Sequence, residues 1–231
     1  MLVLSLALGA VIGRAEPAAL PADGPAELGT DRPLVALTCD DGPRRSTTEE
    51  LLDGLAERGV KATFFLVGEM IPGNEDLILR MEEEGHQIGT HSYDHVYLTG
   101  LNAADFARQV DRTEALLTQL LGHGGFVIRP PYGAIDNGVE KRADSALILW
   151  SIDPEDWNDK NTDRIVEHIV SQAKDGDVVL LHDIYPTSVS AALQVVDALH
   201  RKGFLFVTVE ELAHQRHVEL KAGETYRCFY P

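Results

Sequence analysis

From residue 34 onward, short runs of apolar residues alternate with amphipathic segments along the chain. Strands of a parallel sheet that is covered on both faces read as near-continuous apolar runs, because both sides of each strand are buried. Runs of this kind predict strands over residues 34–39, 61–67, 86–89, 126–128, 146–152, 177–181 and 204–207.

The segments between these strands place apolar residues at helical spacing and carry recognisable helix ends. Ser46 stands three residues before Glu49, which is the spacing of a capping box, and Gly59 follows the last predicted turn of this first helix. The other amphipathic segments predict helices over residues 75–84, 103–121, 162–173 and 188–201.

Repeated strand–helix units require right-handed crossovers, which leaves either a closed barrel or an open doubly wound sheet. The sequence contains no glycine-rich G-x-G-x-x-G turn after the first strand and no P-loop. The sequence therefore lacks the motifs that would indicate an open sheet that binds nucleotides. The predicted fold class is α/β, in a single domain.

Charge and composition narrow the possible partners. The chain has 231 residues, 20 Lys+Arg against 37 Asp+Glu, and a formal net charge of −17. A protein that binds nucleic acid needs clustered positive charge, so this balance argues against a nucleic-acid partner. A hydrophobic content of 44% and a charged content of 25% are ordinary values for a globular domain. No motif indicates a protein partner.

The first residues form a separate segment. Residues 2–12 are an uncharged apolar run, which is shorter than the roughly 20 residues of a membrane span and comparable to the core of a signal peptide. We interpret residues 1–15 as a signal peptide or truncated membrane anchor and residues 16–31 as a flexible linker, so the folded domain is expected over residues 32–231 outside the cytoplasm. The alternative is a short N-terminal helix packed on the domain.

Polar, chemically versatile side chains follow five of the predicted strands. In parallel α/β folds, functional residues gather at the carboxyl ends of the strands. If these polar residues were scattered over the surface independently of one another, so many of them would not be expected at one edge of the sheet. The residues at these five positions are Asp40 and Asp41, His91 and His95, Arg129, Asp153 and Asp156, and His182 and Asp183.

His91 and His95 are four residues apart, so in a helical turn both imidazoles would point the same way and could bind one metal ion. Two histidines with one carboxylate leave a coordination position open, which is typical of a catalytic metal site. Asp40 and Asp41 leave the first strand in different directions, so that one could bind the metal and the other act as a base. The alternative is a capped turn, for which Asp-Asp-Gly-Pro is also suitable.

His182 ends a buried apolar run and is a candidate general acid. That role requires a carboxylate that orients the ring and raises its pKa. Asp156 or Asp153 could supply this carboxylate from the neighbouring strand end. Without such a partner, His182 would be an ordinary hydrogen-bonded core residue.

Five runs in this order resemble the motifs of the polysaccharide deacetylases, the family with a NodB-like domain that is also called carbohydrate esterase family 4. They are TCDDGP (38–43), HSYDH (91–95), RPPYG (129–133), DPEDW (153–157) and LLHD (180–183). The resemblance covers about residues 32–214. It implies a distorted (β/α)7-8 barrel, an acetylated polysaccharide substrate and one divalent metal ion, most commonly zinc, with cobalt or manganese as alternatives.

The resemblance also implies a role for each matching residue. Asp41, His91 and His95 would be the metal ligands, and Asp40 would be the base that activates a metal-bound water, paired with Arg129. His182 would protonate the leaving amine, tuned by Asp156. Tyr132 would stabilise the oxyanion through its backbone N–H, while Trp157 and Leu180 would enclose the acetyl methyl group, although both could be simple core residues.

One residue departs from the family pattern, because Cys39 stands where an aromatic residue is usual. The neighbouring carboxylates would raise the pKa of its thiol, so we expect a buried packing residue and not a nucleophile. A disulfide with Cys228 is the less favoured alternative.

The resemblance predicts the reaction more closely than the polymer. We expect removal of N-acetyl groups from peptidoglycan N-acetylglucosamine, with chitooligosaccharides and O-acetylated xylan as alternative substrates. A catalytically silent glycan-binding domain would need a missing catalytic residue, and Asp40, Arg129, Asp156 and His182 are all present. A purely structural metal site would favour four protein ligands, and the sequence suggests three.

Overall fold

The computed structural model describes residues 31–231, and within them eight strands form one curled sheet. β1 pairs with β6 along one edge, and along the other with β7 at its start and β2 at its end. The remaining order is β2-β3-β4-β5-β8, and each of these strand pairings is parallel. The strands are β1 (Leu34–Asp40), β2 (Thr63–Leu66), β3 (Gln87–Thr90), β4 (Val127–Ile128), β5 (Leu147–Ile148), β6 (Asp177–His182), β7 (Leu205–Val207) and β8 (Thr225–Tyr226).

The sheet curls far enough for its two ends to meet. Ile152, downstream of β5, forms a parallel bridge with Val179 of β6, and Cys228, just after β8, forms an antiparallel bridge with Asp177. These bridges confirm the predicted α/β class and the distorted barrel, and they exclude the open doubly wound sheet.

Eight α-helices lie along the described chain and cover the outside of the sheet or its ends. They are α1 (Arg45–Arg58), α2 (Glu75–Glu83), α3 (Ala103–Gln109), α4 (Asp111–Leu121), α5 (Asn137–Arg142), α6 (Thr162–Gln172), α7 (Pro186–Arg201) and α8 (Val209–Gln215). Short 3₁₀ turns occupy Gly68–Met70 and Pro131–Gly133.

Two predictions about helices were wrong. The single helix over residues 103–121 is divided into two at Val110 (φ −95°, ψ −59°), a residue that stays in the right-handed region but belongs to neither helix. The expected capping box at Ser46 is absent, since α1 begins after Arg44 without a side-chain cap. A complete capping box is formed instead by Thr208 and Glu211 at the start of α8, a helix that the periodicity did not predict.

Alternation along β1 separates the interior of the barrel from the layer between sheet and helices. Val35, Leu37 and Cys39 belong to the apolar cluster that packs against the helices, whereas Ala36 belongs to the cluster inside the barrel. By the same alternation Asp40 faces the interior, because successive side chains point to opposite faces of a strand. The first strand thus carries its last carboxylate into the barrel.

Cys39 is therefore a packing residue, as predicted. It is 1% exposed, and burial, together with the charges of Asp183, Asp40 and Asp156, raises the pKa of its thiol well above the ordinary value. Cys39 and Cys228 are both free thiols, so the disulfide alternative is not realised.

The chain ends in a strand that the hydrophobic pattern missed. β8 has only two residues, Thr225 and Tyr226, and it pairs with β5 at the far end of the sheet. No helix in residues 31–231 has the length and apolar character needed to cross a membrane. The predicted signal or anchor over residues 1–15 and nearly all of the predicted linker lie outside the described residues.

Candidate active site at the carboxyl ends of the strands

A cavity of about 380 Å³ opens at the carboxyl ends of the central strands. It brings together eight of the ten residues to which the family resemblance assigns a role, and the other two, Arg129 and Asp156, lie directly behind it and are completely buried. The residues that line the cavity are Asp40, Asp41, His91, His95, Tyr132, Trp150, Asp153, Trp157, Leu180, His182 and Tyr185.

Asp41, His91 and His95 bring three potential metal-ligand atoms together, all within 4.8 Å of one another. Asp41 Oδ1 lies 3.2 Å from His95 Nε2 and 3.5 Å from His91 Nε2. The same Asp41 oxygen is buried and has no hydrogen-bond partner within the described chain. A buried carboxylate oxygen without a donor is costly, and a bound cation would compensate for it.

The second nitrogen of His91 fixes the ring for this arrangement. His91 Nδ1 lies 2.7 Å from the backbone oxygen of Arg129, so Nδ1 carries the proton and Nε2 presents its lone pair to the cluster. Burial lowers the pKa of His91, which favours the neutral imidazole that binds metal ions. The three residues therefore fit a divalent ion with an open coordination position.

His91 and His95 do not lie in a helical turn, contrary to the prediction. The segment that carries them is a loop in which Ser92 and His95 have positive φ angles of 61° and 56°. Left-handed backbone in residues other than glycine is uncommon and tends to cluster at functional sites. Of the six such residues in the described chain, three line this cavity, Asp41, His95 and Tyr132, and two, Ser92 and Glu155, are the chain neighbours of His91 and Asp156.

Asp40 is held by a buried arginine. Arg129 Nη1 donates to Asp40 Oδ1 over 2.7 Å, and the guanidinium also donates to the backbone oxygens of Ile148 and Leu149. The second carboxylate oxygen, Asp40 Oδ2, is 3.7 Å from His91 Nε2 and so faces the ligand cluster. One oxygen of Asp40 is thus anchored, and the other is directed at the position a cation would occupy.

His182 and Asp156 form the second polar pair of the cavity. Asp156 Oδ1 lies 2.8 Å from His182 Nδ1, and Asp156 Oδ2 accepts the backbone N–H of His182 over 2.9 Å. Burial opposes the charged form of His182, but the hydrogen bond and the charge of Asp156, with Asp40 and Asp41, raise its pKa to about 9. His182 is therefore protonated at neutral pH.

Of the two carboxylates that could partner His182, only Asp156 does so. Asp153 Oδ1 instead accepts the backbone N–H of Glu155 over 2.8 Å, and burial raises the pKa of Asp153. Which of the two carboxylates reaches His182 depends on the backbone path of residues 153–156, where Glu155 has a positive φ of 55°.

Apolar side chains complete the wall beside His182. Leu180 is buried at 3% exposure, whereas Trp157 is 51% exposed and stands at the rim. Two wall residues were missed by sequence reasoning, Trp150 and Tyr185. Both occupy the same strand-end segments as the candidate residues, so a search of whole segments for aromatic residues would have found them.

Comparison with known proteins places these residues in a family context. The family model described as polysaccharide deacetylase matches residues 27–148. The chain is 37% identical over 179 residues to the peptidoglycan-N-acetylmuramic acid deacetylase PdaC of Bacillus subtilis, which covers 78% of this chain and 38% of that protein. It is 37% identical over 192 residues to the peptidoglycan-N-acetylglucosamine deacetylase PgdA of Listeria monocytogenes, covering 83% and 41% respectively.

The chain thus spans about two fifths of the length of these two curated relatives. Among solved structures, a family 4 acetyl xylan esterase from Clostridium thermocellum in complex with a cobalt ion superposes with a TM-score of 0.80 at 27% identity. That superposition covers 84% of this chain and 98% of the esterase chain. The two chains therefore share the fold along most of their length.

Proposed function

The chain belongs to the polysaccharide deacetylase family, and from this premise we propose that it hydrolyses the N-acetyl groups of an amino-sugar polymer, with peptidoglycan N-acetylglucosamine as the substrate. The observation that carries the proposal is one cavity that holds a candidate metal site between two polar pairs. The pairs are Asp40–Arg129 and Asp156–His182. The first supplies a base and the second an acid, which amide hydrolysis requires.

Asp41, His91 and His95 would hold the family's divalent metal ion. When bound, the ion would polarise the acetyl carbonyl and lower the pKa of the attacking water. Nitrogen and carboxylate ligands suit zinc, and cobalt and manganese are the alternatives. The cobalt complex of the related esterase is consistent with this choice.

Asp40 acts as the general base in this proposal. Its free oxygen Oδ2 faces the ligand cluster and accepts a proton from the water that attacks the acetyl carbon. Arg129 binds the opposite oxygen, Oδ1, over 2.7 Å and keeps the carboxylate from rotating. Because Arg129 is completely buried, solvent does not screen the electrostatic attraction between its guanidinium and the Asp40 carboxylate.

His182 acts as the general acid. Its Nδ1 is occupied by Asp156, so Nε2 is the atom that delivers a proton to the leaving nitrogen. Tyr132 contributes its backbone N–H to the developing oxyanion, a role for which its left-handed conformation (φ 62°) positions the peptide. Leu180 and Trp157 enclose the acetyl methyl group. The products are acetate and a free amino sugar.

Peptidoglycan is the preferred substrate because the two curated relatives described above are named for it. Their names divide between N-acetylmuramic acid and N-acetylglucosamine, and we favour the latter. Since this polymer lies outside the cytoplasm, the protein would act there. O-acetylated xylan is the second candidate, because the related esterase shares the fold and because the same groups can cleave an acetyl ester.

Acetate release tests the proposed function directly. The purified protein is stripped of metal with a chelator and assayed on peptidoglycan, on chitooligosaccharides and on acetylated xylan, before and after addition of zinc, cobalt or manganese. We expect release from peptidoglycan only after metal is restored. A folded protein that binds one metal ion and releases no acetate from any polymer would instead support the silent glycan-binding domain.

Replacing Asp156 by Asn should change both the rate and its pH dependence. His182 must be protonated to act, so activity persists below its pKa, which Asp156 raises above the ordinary value, and is lost as the pH rises through that pKa. Without the Asp156 carboxylate the pKa of His182 falls, and the alkaline limb should move to lower pH. The rate at the optimum should fall about 100-fold or more.

The pH profile of kcat/KM checks this expectation. Asp153→Asn is the matched control, because Asp153 lines the same cavity without bonding to His182, and its alkaline limb should stay near that of the wild type. An unmoved alkaline limb in Asp156→Asn would show that His182 is not the group that titrates there.

A further inference from the structure

The large apolar side chains that the described chain exposes are not scattered evenly. Six are exposed, and four of them lie at the candidate active site: Tyr132 and Trp157 line the cavity, and Val96 and Tyr97 directly follow the lining residue His95 in the chain. Isolated exposed apolar residues need no explanation, whereas a cluster rimmed by polar groups marks a binding surface. Of these four, Tyr97 and Val96 do not line the cavity itself and have no role in the proposed chemistry.

Tyr97 stacks on Tyr132, one ring further from the cavity. The two ring centroids are 4.2 Å apart with an interplanar angle of 25°. Tyr132 is fixed in turn, because its hydroxyl donates to the backbone oxygen of His95 over 3.2 Å and its ring meets the imidazole of His95 edge-on at 4.7 Å. The pair is therefore a rigid extension of the loop that carries a candidate metal ligand.

One face of the Tyr97 ring is covered by Tyr132, yet 56% of the residue remains exposed. The uncovered surface of the Tyr97 ring therefore lies in solvent just outside the cavity. Aromatic faces carry negative electrostatic potential and pack against the positively polarised C–H groups of a flat partner. A pyranose ring presents such a face of C–H groups, with its hydroxyl groups directed outward to water.

We infer that the Tyr97–Tyr132 pair is a stacking platform for a sugar of the glycan strand that neighbours the sugar being deacetylated. The inference rests on the proposed function, which places one acetamido group in the cavity, so that the rest of a polymer must leave across the rim. A second copy of this chain is a poorer occupant, because a stable protein interface takes about 20 to 30 residues on each side and the patch has four. Tyr97 thus sets a preference for chains over single sugars.

The test compares substrate length. For Tyr97→Ala, the ratio of kcat/KM on the N-acetylglucosamine pentamer to that on the dimer should fall about tenfold, through KM, which is the factor expected for one lost aromatic contact. Tyr97→Phe and Tyr97→Trp should keep the wild-type ratio, since both retain an aromatic face. Leu79→Ala is the matched control, because Leu79 is 40% exposed on α2 and lies outside the cluster.

Several outcomes would overturn the inference. An equal loss on pentamer and dimer would mean that Tyr97 only supports the loop of His95. A loss in Tyr97→Phe equal to that in Tyr97→Ala would assign the effect to the hydroxyl group. If light scattering shows that the wild type is a dimer and that Tyr97→Ala is a monomer, the patch binds a second copy of the chain and not a sugar. If the wild type releases no acetate from peptidoglycan or any other polymer, the proposed function fails separately. Calorimetric binding of the pentamer and the dimer to wild type and Tyr97→Ala then gives the same comparison without turnover.

Discussion

Asp40→Asn should lower kcat by about 100- to 10,000-fold, the range that one positioned general base contributes. An amide retains the shape of the side chain and can still accept a hydrogen bond from Arg129 through its oxygen, but it cannot take a proton from water at neutral pH. The ligand atoms of Asp41, His91 and His95 are untouched, so the variant should still bind one divalent ion.

The same substitution should also destabilise the fold. Arg129 is completely buried and donates to Asp40 over 2.7 Å. Removing one partner of a buried ion pair leaves an uncompensated charge and typically costs about 3 to 5 kcal/mol. The melting temperature of Asp40→Asn should therefore fall, which distinguishes this position from an exposed carboxylate at the rim.

Three measurements check the prediction: kcat on the preferred polymer, bound metal per chain and the melting temperature. Asp153→Asn serves as the matched control, because it removes one charge from the same cavity without touching Arg129. Asp153→Asn should retain most of the activity and stability. Turnover in Asp40→Asn close to that of the wild type, with metal bound, would remove Asp40 from the role of base.

The strands were the most predictable part of the fold, because a strand that is buried on both faces requires an unbroken run of apolar residues in the sequence. Residues 34–39 and 177–181 were predicted as strands within one residue of β1 and β6, which form the longest paired ladder of the sheet. β8 was missed because Thr225 and Tyr226 gain their strand geometry from pairing with β5, about 80 residues earlier in the chain, and not from their own composition.

The contents of the site were predictable, but its internal pairings were not. A rule about strand ends was enough to predict which side chains meet in one cavity, since parallel strands end at one edge. Which carboxylate faces His182 depends on the left-handed turn at Glu155, which no local propensity favours. The stacking of Tyr97 on Tyr132 joins two loops 35 positions apart, so only the folded chain reveals it.

His95→Ala should abolish metal-dependent activity by removing one of the three proposed ligands. Loss of groups that merely orient a ligand costs about 10- to 100-fold in metal affinity, so loss of the ligand itself should cost about 1,000-fold or more. The side chain of His95 is 29% exposed, so the variant should fold without it.

The measurement that isolates this effect is thermal stabilisation by added zinc, which needs no turnover. An ion present at 100 times its dissociation constant stabilises the folded state by about 2.7 kcal/mol. The wild type should gain this stabilisation, and His95→Ala should gain almost none at the same zinc concentration. His123→Ala is the matched control, because the side chain of His123 is 33% exposed and pairs with Glu82 away from the cavity.

The two histidine variants separate a specific site from general binding of metal to an acidic protein. With a net charge of −17, the surface could attract divalent ions without any ordered site. Such binding would be shared by wild type, His95→Ala and His123→Ala alike, and it would weaken as salt is added. A zinc-dependent rise in melting temperature that His95→Ala loses and His123→Ala keeps, at high salt, assigns the ion to Asp41, His91 and His95. Equal stabilisation of all three proteins would refute that ligand set.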